Sequence, residues 1–150
     1  NGDLRLVGTG ANAFAADTLT LFTSGNLSLD GTGAPVMVSS ATYQEFVATG
    51  NLSLTGTGTF TSGGGQQFRS NGDTVFQAQA GTLTASGVDQ VFLGRDIRLL
   101  GGASSGDAIT LSATGSQSFN ATRNIELAVA RLHVDLRCVQ ELHLRASPEP

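Results

Sequence analysis

The sequence predicts an all-β protein folded as a β-solenoid: a triangular β-helix with about 24 residues and three short strands per coil, in roughly six coils. Two short phrases recur at this interval, and apolar residues alternate with polar ones between them. A repeat of this length is typical of stacked arrays, in which one repeat alone cannot bury its apolar side. Gly and Asn follow the alternating segments and indicate the corners between strands.

The first phrase is a polar residue, often Gln, followed two positions later by an apolar residue, usually Phe. Its apolar members are Phe22, Phe46, Phe68, Phe92, Phe119 and Leu142. The intervals between them are 24, 22, 24, 27 and 23 residues. We expect these six side chains to form one inward-facing column, the structural ladder. The Gln of the phrase is expected to face solvent, with a ladder of side-chain amides as the alternative.

The second phrase is an Asn or Asp followed by alternating apolar residues. Its copies begin at Asp3, Asn26, Asn51, Asp73, Asp96 and Asn124, which form a predicted corner ladder. Asn and Asp favour turns, so these residues are expected at corners. The apolar residues after them predict a second wall of the helix, which includes Leu27, Leu52 and Ile97.

A third alternating segment predicts the middle wall. Its inward residues are expected to be Val36 and Val38, Phe60, Leu83, Ile109 and Leu111, and Leu132 and Val134. In one coil the three segments are residues 51–58, 59–65 and 66–72. Alternation over four or five residues predicts a strand with one buried face.

The array is predicted to cover residues 1–146, as a segment of a longer chain, and residues 147–150 form a tail. Residues 124–146 contain no Gly and fit helical spacing, but their phrases keep the strand repeat, which favours strands. Residues 101–106 lengthen one coil and are expected to loop outward. Gln-x-Phe marks only every third segment, so the three walls differ. That asymmetry favours a single-chain helix or a heteromeric winding over a symmetric interwound homotrimer.

Composition limits the partners. The net charge of −4 argues against nucleic acid or an anionic membrane as the main partner. No segment approaches the roughly 20 apolar residues of a membrane helix. The single cysteine, Cys138, cannot form an internal disulfide.

The residues that carry chemistry do not form a known catalytic pattern. His133 and His143 lack converging ligand partners, so no metal and no other cofactor is expected. A polysaccharide-acting β-helix enzyme needs clustered carboxylates, but Asp89, Asp96 and Asp107 fall on different registers. Asp73 and Asp96 occupy a corner position, where Asp favours turns. The sequence therefore predicts a protein that is not an enzyme, with that enzyme as one alternative. The Thr-x-Thr pairs leave an ice-binding β-solenoid as another.

Two resemblances accompany this interpretation. The phrases at residues 25–29 and 50–58 resemble repeats of filamentous haemagglutinin-type adhesins, which are right-handed β-helices on bacterial surfaces. Residues 4–10 and 75–99 resemble the ectodomains of sarcoglycans. These resemblances imply an extracellular β-helical stalk, assembled from three chains in the sarcoglycan case. The cysteine-rich cap and the membrane helix of the sarcoglycan pattern are not found in this sequence.

The expected function is therefore a structural or adhesive β-helical rod or spacer, located outside the cell or at its surface. Open strand edges invite pairing with another chain, so the expected partners are other protein chains in a homo- or hetero-oligomer or filament. Three sequons, at Asn26, Asn51 and Asn120, are candidate glycosylation sites in a secretory pathway.

Overall fold

A computed structural model of the chain describes residues 2–9, 12–102, 104, 106–128, 132–136 and 142–146. These residues form β-strands and contain no helix, so the predicted β-solenoid is confirmed. The strands are β1 (Leu4–Val7), β2 (Asn12–Thr23), β3 (Leu27–Ala48), β4 (Leu52–Ser62), β5 (Gly65–Ser70), β6 (Thr74–Gly87), β7 (Gln90–Leu100), β8 (Ala108–Ala113), β9 (Gln117–Ala128), β10 (Leu132–Leu136) and β11 (Leu142–Ala146).

The strands stack in parallel on three walls, and the longer strands bend from one wall to the next. One column on the first wall runs through Leu4, Leu27, Leu52, Thr74, Ile97 and Ile125. One on the second wall runs through Asn12, Val36, Gly58, Leu83, Ile109 and Leu132. One on the third wall runs through Leu19, Gln44, Gln66, Gln90, Gln117 and Leu142. Each wall therefore has six levels, which span about five turns.

The core lies between the walls and is built from stacked apolar columns. Phe46, Phe68, Phe92 and Phe119 stack on the third wall, with ring centroids 5.0, 5.2 and 4.5 Å apart and nearly parallel planes. Phe60 of the second wall and Phe76 of the first wall meet this stack edge-on. The expected inward residues of the second wall lie in two adjacent columns. Offset and edge-to-face ring contacts add about 0.5–1.5 kcal/mol each beyond the burial of area.

The predicted structural ladder is wrong in its first and last members, Phe22 and Leu142. Phe22 registers with Val47 and is 66% exposed, and Leu21 takes the predicted place opposite Phe46. Leu142 registers with Gln117, and Leu144 takes the place opposite Phe119. Because side chains alternate along a strand, an error of one residue reverses the face that a side chain occupies. At Leu142 the error is two residues, which keeps the face and changes the column.

The prediction that the Gln of the first phrase faces solvent is also wrong. Gln44, Gln66, Gln90 and Gln117 are at most 2% exposed, beside the Phe column. The amide nitrogens of Gln66, Gln90 and Gln117 each donate to the side-chain oxygen of the preceding Gln, at 2.9, 2.8 and 2.6 Å. Residues i and i+2 of a strand share a face, so an inward Phe requires an inward Gln. The amide ladder is therefore a buried element of the core.

The described residues of the 124–146 segment are in β-strands. Part of the 124–146 segment lies in β9, β10 and β11, which agrees with strands and not with the helical alternative. The predicted tail, residues 147–150, and Cys138 lie outside the described residues. In the lengthened coil, the Asp107 carboxylate is 3% exposed and accepts hydrogen bonds from the backbone of Gly81 and Ser104, at 2.9 and 3.0 Å.

Candidate functional site: the open edge of the first coil

The first level of the solenoid presents core-facing side chains that no described coil covers. Leu4 and Leu6 register with the buried Leu27 and Leu29 below them. Phe14 registers with Val38, which is 2% exposed, yet Phe14 itself is 41% exposed. Leu19 and Leu21 lie at the same level on the third wall and pack against the core from its end. Leu4, Leu6, Phe14, Leu19 and Leu21 together are called the open edge below.

The backbone of this level has hydrogen-bonding capacity left over. Strands β1 and β2 pair with β3, and no other described strand pairs with either of them. A parallel strand in a solenoid can pair on both sides, as β3 does with β2 and with β4 or β5. Unpaired strand edges with apolar side chains are templates for β-strand addition.

A groove of about 240 Å³ lies along the inside of this edge. Its lining includes Leu6, Val7, Phe14 and Val36 together with the polar Arg5 and Thr9. Its lining is mainly apolar and carries one cation at its rim.

The charge at the rim is fixed by an ion pair. Arg5 donates to the Asp30 carboxylate of the second level at 2.6 Å. Asp30 also accepts hydrogen bonds from the hydroxyl and the backbone of Thr32, at 2.6 and 3.0 Å. The Thr32 hydroxyl and backbone, and then Arg5, lower the pKa of Asp30 to about 2. Asp30 therefore stays ionised and holds Arg5 against the second level.

The corner ladder connects successive levels beside this edge. The side-chain oxygens of Asp3, Asn26 and Asn51 accept hydrogen bonds from the backbone of Asn26, Asn51 and Asp73, at 2.7, 2.8 and 2.9 Å. These bonds satisfy backbone donors at the corner, where the strand ladder is interrupted. Of the three sequon residues, Asn26 and Asn51 are exposed, while the Asn120 amide is half-buried and donates to Ser118 at 2.7 Å.

The later levels of the corner ladder use ion pairs instead. Asp73 accepts from Arg95 at 2.9 Å. Asp96 is 1% exposed and accepts from the Arg123 guanidinium and from the backbone of Asn124. The hydrogen bond from Arg123 is the main cause that lowers the pKa of Asp96.

The carboxylates considered for catalysis do not converge. Asp73 and Asp96 lie at the corner between the third and first walls, and Asp89 lies at the corner between the second and third. Hydrogen bonds from the backbone and the hydroxyl of Ser116 lower the pKa of Asp89. Within the described residues, no group of three or more His, Cys, Asp or Glu side chains could hold a metal ion. His133 and His143 are on different walls, in register with Thr110 and Ser118.

The outer face of the second wall carries a regular hydroxyl array. Thr59, Thr84 and Thr110 register at three consecutive levels. Thr61, Ser86 and Ser112 form the adjacent column. Met37 stands in the first column one level earlier and His133 one level later. The array is therefore two columns wide and three levels long.

The chain matches no protein-family model, no curated protein and no solved structure. The part of the chain that the structure describes holds no helix with the length and apolar character that a membrane crossing requires.

The open edge was not identified from the sequence residue by residue, although open strand edges were expected. The signal was present in the alternation of Leu4 and Leu6, and of Leu19 and Leu21, which have the same spacing as buried residues of later coils. Phe14 lacked such a signal, because its phrase contains Ala at the neighbouring positions.

Proposed function

We propose that the protein is a structural or adhesive rod or spacer that joins a larger assembly by adding a β-coil at its open edge. The observation that carries this proposal is the exposure of Phe14, a residue of a core column, on strand β2, which among the described strands pairs with β3 alone. Burial of a Phe side chain contributes about 1.5–3 kcal/mol, and strand pairing adds backbone hydrogen bonds. The coil that covers this edge is parallel and comes from preceding residues of a longer chain or, in the proposed assembly, from a second copy of this chain or a related one.

The rod function is supported by the way the coils are connected. The third and fourth levels are joined to both neighbours by backbone pairing, by the Gln ladder and by the Phe stack. Such continuous stacking resists bending, and stability accumulates with the number of coils. We further propose that the rod works outside the cell or at its surface and carries glycans at exposed sequons in a secretory pathway.

The assembly is tested by measuring mass against protein concentration with light scattering. We expect growth beyond the monomer mass that is lost in Phe14→Asp and kept in Phe22→Asp. Phe22 is the matched control, because it lies on the same coil but faces outward. Circular dichroism shows whether each variant keeps its strands. A wild-type protein that stays monomeric at all concentrations would rule out assembly by identical copies, and loss of growth in Phe22→Asp alone would indicate lateral packing instead.

Ice binding is a second candidate, and the hydroxyl array on the second wall favours it. Three consecutive levels present Thr or Ser in both columns, on a parallel sheet. Thermal hysteresis of the purified protein, compared with a Thr84→Leu variant, tests this candidate. No hysteresis in the wild type excludes it. We do not propose the polysaccharide-acting enzyme, because Asp73 and Asp96 share a corner but are each paired with an arginine, and Asp89 lies at another corner.

A further inference from the structure

The corner between the third and first walls is one residue shorter at the fourth level than at the levels around it. Asn71 and Gly72 separate Ser70 from Asp73 at the third level, and Thr122 and Arg123 separate Ala121 from Asn124 at the fifth. At the fourth level only Arg95 separates Gly94 from Asp96. The register between β7 and β9 shifts at this point. The column that contains Asn71 and Thr122 therefore has no member between them.

The missing residue leaves a groove of about 520 Å³ in the solenoid surface. Its walls are formed by Arg69, Asn71, Leu93, Arg95, Asn120 and Thr122, and these residues define the corner groove. Gly94 is part of the lining, and a Cβ atom at this position would meet the Thr74 side chain. The groove is a consequence of chain length at one corner.

The corner groove carries two arginines in a protein whose net charge is −4. Arg69 is exposed on the outer face of β5, and no acidic side chain among the described residues forms an ion pair with it. The Arg95 side chain is 49% exposed, and its Nε and Nη2 atoms donate to Asp73. One guanidinium is thus unpaired and the other is held in place by Asp73 with its Nη1 atom available. Guanidinium groups bind carboxylates through paired N–H donors.

The remaining wall residues offer neutral polar groups and one apolar surface. Asn71 and Thr122 are exposed on the third and fifth levels; Leu93 lies on the fourth level, in register with Asn120 of the fifth. Amide and hydroxyl groups can donate to and accept from sugar hydroxyls. The Leu93 side chain can pack against the C–H face of a sugar ring. This combination matches a ligand that carries both a carboxylate and several hydroxyls.

We propose that the corner groove binds an acidic saccharide, with Arg69 and Arg95 on the carboxylate and Asn71, Asn120 and Thr122 on the hydroxyls. The site is independent of the open edge, because it lies on the third to fifth levels and uses none of the open-edge residues. It would give the rod a lateral attachment point to a polyanionic glycan.

The test is calorimetric titration of the unglycosylated protein with trigalacturonate, its methyl ester and acetate, at one fixed salt concentration. The unglycosylated protein is used because Asn120 belongs to a sequon. We expect saturable binding of trigalacturonate alone. Since a hydrogen bond to a charged group contributes strongly, Arg69→Gln should weaken this binding about tenfold. Arg5→Gln, the same change at an exposed arginine near the open edge, should leave it unchanged.

The other outcomes contradict the proposal. Equal binding by wild type and Arg69→Gln would place the ligand elsewhere, and no saturable binding would reject the site. Equal binding of the methyl ester would show that charge is not recognised. Acetate as tight as trigalacturonate would show a bare carboxylate site and would overturn the saccharide assignment. Failure here leaves the mass measurements of the assembly unaffected, so the two proposals are separable.

Discussion

At the scale of single residues, the Gln ladder shows how a polar side chain becomes a core residue. Gln66 donates to the side chain of Gln44 and to the carbonyl of Phe60, both at 2.9 Å, and accepts from Gln90 at 2.8 Å. A buried polar group is tolerated when it is hydrogen-bonded. The side-chain oxygen of Gln117 has no partner among the described residues, and Leu142, the next residue in register, cannot donate to it.

Replacing Gln66 by Leu should destabilise the protein by about 3 kcal/mol, because each buried group left without a partner costs about 1–3 kcal/mol. The free energy of unfolding in urea measures this loss. Gln77→Leu is the control, because Gln77 lies half-buried on the outer face of the first wall. Similar losses in the two variants would show that the ladder adds nothing beyond ordinary side-chain packing.

A second prediction at this scale concerns the corner glycines. A Cβ atom at Gly50 would lie 2.4 Å from the Asn26 side-chain oxygen, which bonds to the backbone of Asn51. Gly50→Ala should therefore break the corner ladder and destabilise the protein by about 1–3 kcal/mol. Gly106→Ala should be nearly neutral, since nothing lies within 4 Å of its Cβ position. Thermal unfolding of both variants checks the difference, and equal midpoints would contradict it.

The carboxylates give a pH dependence with a definite sign. The pKa of Asp30 is about 2 in the folded protein, below its ordinary value of 3.8. The pKa values of Asp89 and Asp96 are also lowered. A lowered pKa stabilises the folded state above the unfolded value, and this stabilisation is lost as the carboxylate is protonated. We expect the urea midpoint to fall as the pH decreases from about 4 to about 2, less steeply in Asp30→Asn. A midpoint that stays constant over this interval would contradict the prediction.

At the scale of the strand, the Phe column shows which sequence signals were sufficient. Phe46, Phe68, Phe92 and Phe119 were placed in one column from their spacing, because each follows a Gln by two residues. At the first level the Gln is absent and two apolar residues are adjacent, Leu21 and Phe22. The spacing of the repeat predicts Phe22 in the Phe column, but alternation from Leu19 puts Leu21 on the inner face at this level. Spacing along the chain therefore predicts the fold and the wall on which a residue lies. Whether its side chain points inward or outward depends on the strand register.

The corner groove could not be predicted in the same way. A deletion of one residue at the fourth-level corner leaves the repeat interval near 24, because other corners vary in length as well. Whether the deletion opens a groove depends on which of the two neighbouring columns loses a residue. The packing between levels decides this, and the sequence alone does not show it. The ion pairs of Arg95 and Arg123 with the acids of preceding levels likewise connect residues 22 and 27 positions apart.

A matched pair of Phe substitutions tests the register of the third wall. Phe68 is fully buried between Phe46 and Phe92, so Phe68→Ala should cost about 3–5 kcal/mol. Phe22→Ala removes the same group from an exposed position and should change the stability by less than about 0.5 kcal/mol. Denaturant unfolding distinguishes the two. If Phe22→Ala proves as costly as Phe68→Ala, the assignment of Phe22 to the outer face is wrong.

At the scale of the whole molecule, stability is distributed unevenly along the stack. The third and fourth levels are paired on both sides, whereas β1 and β2 are paired with β3 alone among the described strands. Amide hydrogens at the first level should therefore exchange faster than those of β4 and β5 in dilute solution. Exchange measured by mass spectrometry should slow at β1 and β2 as the protein concentration rises. Protection of these strands that does not depend on concentration would contradict assembly at the open edge.

The parallel direction of every strand pair has a consequence for symmetry. The two faces at opposite ends of such a stack are chemically different, so a second copy that continues the parallel pairing of the described strands must join head to tail. A two-fold dimer through the open edge would instead pair β1 or β2 antiparallel with its own copy. Copies joined there would associate head to tail, in a heterologous contact that does not close into a ring unless the solenoid curves. Under the proposed assembly, each added copy would leave another edge free, and the product would be a filament with a defined polarity.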